Sequence, residues 1–161
     1  MEVRGAKINR FLVEVFDQIL RREEEVLTTE YPELSLREIH LIDSVCRAAD
    51  HGTDNRATAI AAVQGVTAGT LTTAVNLLER KGYVERQRDE KDRRAVRILP
   101  TPLARKAESA HREFHRKMVE QVLDGLSPEE SDALVNALGK LASFFSPADG
   151  KGSNEAQRKV R

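Results

Sequence analysis

The chain has 161 residues, with 26 Lys+Arg against 26 Asp+Glu, one Cys, no Trp, five Phe and two Tyr. At 40% hydrophobic and 32% charged it is too apolar for a disordered chain, and its length suits one ordinary domain or a small module with dimerisation helices. A single Cys excludes an intrachain disulfide framework and a CxxC metal site, no apolar run nears the ~20 residues that span a bilayer, and MEVRGAKINRF lacks a signal peptide's apolar core, so a soluble cytoplasmic protein without a membrane partner is expected.

The first apolar stripe runs Ile8, Phe11, Leu12, Val15, Phe16, Ile19, Leu20, then Val26 and Leu27, with Glu23–Glu25 interrupting it. Its three-and-four spacing predicts a helix over 5–30, ended by Tyr31-Pro32 because the residue before proline is pushed out of the helical region. Ser35-Leu36-Arg37-Glu38 has capping-box spacing, and Ile39, Ile42, Cys46 and Ala49 carry a second helix to His51-Gly52. A polar loop, 50–55, precedes a short Ala-rich helix over 56–63. Gln64-Gly65-Val66 supplies a turn, and Thr67 is a good N-cap for a fourth helix with Leu71, Val75 and Leu78 inward. Gly82 closes it.

The period then changes. Val84, Val96 and Ile98 share one parity, with Glu85 and Arg97 on the other and the charged Arg86, Arg88 and Arg94 close by, which predicts two short strands around a charged turn. Thr101-Pro102 caps a fifth helix with Leu103, Ala107, Ala110, Phe114, Met118 and Val122 as its stripe. Ser127-Pro128 opens a sixth, with Leu134, Leu138, Leu141 and Phe145 inward. Composition then turns to Pro, Gly, Ser and Lys, so 147–161 is expected as a disordered tail.

This order predicts a mainly α fold with one small β-hairpin: a winged helix-turn-helix. Residues 1–146 read as a single domain, with 36–99 as the winged-helix part and 5–30 and 101–146 as N- and C-terminal dimerisation helices. Residues 80–118 hold 13 basic and 6 acidic side chains, net +7, inside a neutral chain. Such a block marks a directed anion contact. On the fourth helix the inward stripe leaves Ala68, Gly69, Thr70, Thr72, Asn76 and Arg80 facing elsewhere, while Thr73 is expected to be partly buried. Small and hydroxylic groups near a helix N-terminus let the backbone approach a phosphate or base edge. The hairpin tip, Arg88-Asp89-Glu90-Lys91-Asp92-Arg93-Arg94, mixes cations with acids. That mixture fits an Asp92 that orients an arginine while the other cations face phosphates. Two copies related by a twofold axis would place their recognition helices in successive major grooves about 34–36 Å apart.

Residues 65–98, GVTAGTLTTAVNLLERKGYVERQRDEKDRRAVRI, resemble the MarR family of bacterial regulators, in the recognition segment and in the D-x-x-D-x-R wing. The resemblance implies a homodimer on a pseudo-palindromic operator of double-stranded DNA. Thr67, Ala68, Gly69, Thr70, Thr72, Thr73, Asn76 and Arg80 correspond to the major-groove helix. Arg88, Lys91, Asp92, Arg93 and Arg94 correspond to the wing, with Asp92 the acid that orients arginine and Arg94 the minor-groove arginine. EIHLIDSVCRA, EKDRRAV and FHRKMVEQVLDGLSPEE are similar to the fatty-acid-biosynthesis repressor branch. That implies repression of type II fatty-acid synthesis genes with long-chain acyl–acyl-carrier protein as corepressor. Its acyl chain, or another small lipophilic effector, would need an apolar cavity, for which Phe11, Phe16, Ile39 and Phe114 are candidates, although the same residues also suit an ordinary core. Two departures from the family pattern stand out: Pro100-Thr101-Pro102-Leu103-Ala104 after the wing, and a longer loop at 50–55.

Three alternatives remain at this point: a repressor released by a small aromatic ligand, one released by an oxidant, and a winged-helix module that binds protein. Enzymatic chemistry has no support, since a nucleophile elbow and a Gly-rich phosphate loop are both missing. His111 and His115 have the i,i+4 spacing that can share a metal, but Glu113 lies off their face. They are read as an exposed or half-buried pair, and no metal or cofactor is assigned. Cys46, on a buried stripe, reads as an inert core residue.

Overall fold

The computed structural model describes residues 2–89, 92 and 94–145. The expectations for Lys91, Arg93 and the 147–161 tail lie outside the described residues. Six helices and one hairpin follow in the expected order: α1 (Glu2–Glu30), α2 (Leu36–Asp50), α3 (Ala57–Val63), α4 (Ala68–Arg80), β1 (Val84–Arg88), β2 (Val96–Pro100), α5 (Pro102–Asp124) and α6 (Pro128–Phe145). Two compact units divide the chain, Met1–Lys117 and Met118–Arg161. No single helix among the described residues is long and apolar enough to cross a membrane.

The core of the first unit gathers Ile39, Ile42, Val45 and Cys46 of α2, Ile60 of α3, Leu71, Val75 and Leu78 of α4, and Val84 and Ile98 of the hairpin. Leu27 reaches it from α1, and Ala104 and Ala107 from α5. Cys46 is fully buried, and burial pushes its thiol up to about 11, as suits an inert core residue.

Helix ends are fixed by the residues that the sequence indicates. Ser35 caps α2 in a complete capping box, its backbone N–H donating to Glu38 Oε2 at 2.8 Å. The other Glu38 oxygen accepts from Lys81 Nζ at 2.6 Å, which ties the start of α2 to the end of α4. Burial alone would raise the Glu38 carboxyl, but Lys81 and the Ser35 donors outweigh it and hold the group below its ordinary 4.5. A carboxyl depressed on folding adds stability that is complete above its unfolded value and lost as pH falls through the folded one. Glu38→Gln is therefore expected to lower stability near neutral pH by about 1.5–3 kcal/mol. In urea titrations the gap to wild type should close as pH drops below 4.5. A gap undiminished in acid would contradict this.

Packing within the single chain fixes which side chains of α1, α5 and α6 are buried. Glu23 does not interrupt the inward face of α1; it is 1% exposed and belongs to that face. By contrast, Ile8, Phe11, Phe16 and Leu20 of the expected stripe are exposed. On α5, Ala107 of the expected stripe is buried and Ala110 and Phe114 are half-buried, but Leu103 is 39% exposed and Ala104, Glu108 and His111 are buried beside Ala107. Small alanines dock there against the core, and the face they define carries two polar residues that a hydrophobic count overlooks. In α6, Leu134 and Leu138 are exposed, Leu141 is half-buried, and the Phe145 side chain lies outside the described residues.

Candidate nucleic-acid interface

The interface begins with a tight turn. Val63 ends α3, Gly65 takes φ +63°, a conformation that favours glycine, and Val66 donates its N–H back to Ala61 at 3.0 Å. The turn swings α4 through 107° relative to α3, the angular range of helix-turn-helix pairs. Thr67 then caps α4, its Oγ1 accepting the Thr70 N–H at 3.2 Å and lying 2.9 Å from Thr70 Oγ1. Leu71, Val75 and Leu78 face the core, so one edge of α4 is left to solvent.

Along that edge Thr67, Ala68, Gly69, Thr70, Thr72, Thr73, Asn76 and Arg80 are all exposed. Thr73 is therefore not partly buried; its hydroxyl donates to Gly69 O at 3.2 Å, and that of Thr72 donates to Ala68 O at 2.8 Å. A Cβ added at Gly69 would meet nothing nearer than Thr67 Oγ1 at 4.0 Å. Internal packing does not require a glycine there.

The hairpin stands beside this edge. β1 and β2 pair antiparallel with Arg86 opposite Ile98 and Arg88 opposite Val96. Arg86 reaches back to α4, donating to Glu79 Oε2 and to Thr72 O, and so fixes the root of the hairpin against the helix. At the far end Asp89 organises the turn: it is 5% exposed, its Oδ1 accepts the Asp92 N–H at 2.9 Å, and its Oδ2 accepts from Arg97 Nε. Arg97 also donates to Asn55 Oδ1 at 2.7 Å, while Asn55 O accepts the Ile98 N–H at 2.9 Å, which stitches the 50–55 loop to the strand. Asp92 acts on the backbone, its Oδ1 accepting the Arg94 N–H at 3.0 Å.

Among the described residues of the wing tip, the arginine side chain held by an acid is thus Arg97, and the acid is Asp89; Asp92 orients Arg94 through the peptide. Arg88, Asp92 and Arg94 are exposed, and among the described residues the Arg88 and Arg94 guanidiniums have no partner. Sequence reading missed Arg86, Asn55, Asp89 and Arg97 as the supports of the wing. The three-residue step from Asp89 to Asp92 carried a usable signal, because an Asp side chain readily accepts a backbone N–H just ahead of it in a turn. Nothing in the sequence pointed to Asn55.

The suggested effector residues are divided. Ile39 is sealed in the core, Phe114 is half-buried, and Phe11 and Phe16 stand on the exposed face of α1. Phe11 borders a shallow cleft with Lys7, Ile8, Arg10 and Glu14.

Comparison with known proteins agrees with this architecture. Residues 34–95 match the model of the MarR family. Two curated proteins of Bacillus subtilis (strain 168), the uncharacterized HTH-type transcriptional regulators YwhA and YcgE, are 34% identical over 71 residues and 32% identical over 85 residues. Those alignments take in 44% and 50% of this chain and 51% and 53% of the relatives, so the chain spans about half the length of the curated relatives it matches. Streptococcus pneumoniae FabT, solved in complex with DNA, superposes with a TM-score of 0.81 at 37% identity, over 87% of this chain and 96% of that one. The S. aureus MepR–DNA complex shares the fold, with a TM-score of 0.69 at 20% identity over 85% of this chain and 96% of that one. These proteins are regulators rather than enzymes, and with a matched family model and a FabT likeness that runs through nearly all the described residues, the chain belongs to the MarR family.

Proposed function

We propose that this chain is a DNA-binding transcriptional regulator that acts as a homodimeric repressor. The observation that carries the reading is one exposed surface joining the N-terminal edge of α4 to an arginine-bearing wing tip, the two held together by Arg86. Thr67, Ala68, Gly69, Thr70, Thr72, Thr73, Asn76 and Arg80 face the major groove, and Arg88, Lys91, Asp92, Arg93 and Arg94 form the wing that reaches phosphates and the minor groove. Large apolar side chains left in the open on α1 (Phe11, Phe16) and, separately, on α6 (Val135, Leu138) support a second copy as the partner.

The finer reading is a repressor of type II fatty-acid synthesis genes, with long-chain acyl–acyl-carrier protein strengthening operator binding. It rests on the likeness to FabT rather than on a cavity. Fluorescence anisotropy with the duplex upstream of this gene, and with duplexes upstream of fatty-acid synthesis genes, tests both levels. Salt-sensitive binding by a dimer is expected, tightened by the acylated carrier protein. Release by salicylate-like compounds would replace the lipid reading, and failure to bind any of these duplexes would count against the repressor itself.

Gly69 offers an internal check. Because helical Gly costs about 0.5–1 kcal/mol relative to Ala, and space is open there, Gly69→Ala should raise thermal stability. The same methyl stands where the helix backbone meets DNA, so affinity should fall. Stability and affinity rising together would contradict the placement of this edge in the groove.

A further inference from the structure

The arginines and lysines of the winged-helix part, 36–99, sort into two sets. Arg47, Arg56, Lys81, Arg86 and Arg97 are each paired with an acid, namely Asp43, Asp54, Glu38, Glu79 and Asp89. Arg37, Arg80, Arg88 and Arg94 are exposed and have no partner among the described residues. Arg80, Arg88 and Arg94 already belong to the α4 edge and the wing. Arg37 does not: it stands in the first turn of α2, just after the Ser35 cap. A cation there opposes the partial positive charge of the helix N-terminus, where an acid is favoured. The chain thus keeps an unpaired guanidinium where local helix energetics disfavour one.

Arg37 borders a cleft of about 400 Å³ between α2 and α4, with Leu41, Gln64, Val66, Thr70 and Ala74 among its other walls. At about 100° per residue, Thr70 and Ala74 lie on one flank of α4, and Thr72 and Glu79, which hold Arg86 of the hairpin, lie on the opposite flank. Gly69, Thr73, Asn76 and Arg80 face outward between the two. The hairpin therefore occupies one side of the reading edge, and the Arg37 cleft occupies the other. Its walls are fixed to each other. Gln64 Nε2, in the turn ahead of α4, donates to His40 O of α2 at 3.2 Å, and Lys81 Nζ, after α4, donates to Glu38 Oε1 at 2.6 Å. Both ends of α4 are thus tied to the helix that carries Arg37.

We propose that Arg37 is a phosphate contact, seating the sugar–phosphate backbone of DNA on the flank of α4 away from the wing. The inference rests on the DNA-binding reading above. A helix lying in the major groove has a backbone wall on each side, and the wing meets only one of them. The guanidinium fork suits the oxygens of a phosphate on the other, while Leu41, Val66 and Ala74 give an apolar wall to deoxyribose carbons. Phosphate contacts position a protein on the duplex and carry no sequence information directly. Arg37 accordingly sets how α4 sits in the groove without choosing the bases it reads.

The test is fluorescence anisotropy over a salt series in phosphate-free buffer, with the duplex upstream of this gene and a scrambled duplex of equal length. Arg37→Ala is expected to weaken binding to both duplexes by the same factor, roughly 5- to 30-fold per dimer. Its log–log salt slope should be shallower by about 1.8, one phosphate lost per copy. Arg37→Lys should keep the slope, because a point charge still neutralises a phosphate. Arg47→Ala removes a paired cation about 15 Å along the same helix, beyond the Debye length at physiological salt, and should leave affinity and slope there unchanged. The Tm of Arg37→Ala should hold or rise, because the first turn loses an unfavourable cation. An unchanged slope in Arg37→Ala, a loss confined to the upstream duplex, or an equal loss in Arg47→Ala would overturn the proposal. If Arg94→Ala weakens binding in that same series, the repressor reading stands without Arg37. Wild type that binds neither duplex at low salt would overturn both.

Discussion

Asp89→Ala is expected to weaken DNA binding even though it makes the wing more positive. Long-range attraction alone runs the other way, since removing a carboxylate beside a polyanion favours association. Local order decides the sign. Asp89 is buried, grips Arg97 and accepts the Asp92 N–H, and Asp92 in turn accepts that of Arg94, so a single carboxylate anchors the whole turn. Without it, Arg97 keeps only Asn55 among these supports, and Arg94 loses the peptide geometry that aims it. Stability should fall by about 2–3 kcal/mol, less than the ~3–5 kcal/mol of a fully buried broken pair because the Arg97 side chain is 39% exposed. DNA affinity should fall by about 1–3 kcal/mol per copy, the scale of a lost arginine contact. Denaturant unfolding and anisotropy measure the two; tighter binding by Asp89→Ala would show that the wing acts through net charge alone.

Arg94→Ala should separate affinity from stability. The side chain is exposed and without a partner among the described residues, so unfolding should shift by less than about 0.5 kcal/mol. Affinity for duplex DNA should drop by about 1–3 kcal/mol per copy, doubled in a twofold dimer, with a shallower dependence on salt. Arg94→Lys should restore only part of it, because an ammonium lacks the planar fork and binds its water more tightly. A variant that binds like wild type at physiological salt would remove Arg94 from the interface.

Most of the fold was legible because its punctuation is local. Ser35 with Glu38, Gly65 ahead of Thr67, Gly82, and Thr101 with Pro102 each fix a helix end through groups a few residues apart, and the structure uses them as the spacing indicates. Three features were not legible because they depend on long-range pairing. The α5 face turned out to be Ala104, Ala107, Glu108 and His111, since alanine packing rather than side-chain hydrophobicity sets its rotation. The i,i+4 histidines were visible, but Glu23 lies 92 residues from His115 and no pattern joins them. In the wing, the arginines and acids could be counted without showing which of them pair. Asp92 bears on Arg94 through the peptide, while Asp89 and Asn55 together hold Arg97.

Hydrogen exchange of the full-length chain, with and without the duplex upstream of its own gene, tests the central claim most directly. Amides of the α4 N-terminal segment, 66–73, and of the hairpin, 86–97, should slow together as the duplex is added, and the two protections should saturate at one DNA concentration. Protection of only one of these segments, or of neither while the duplex is bound, would contradict an interface built from both.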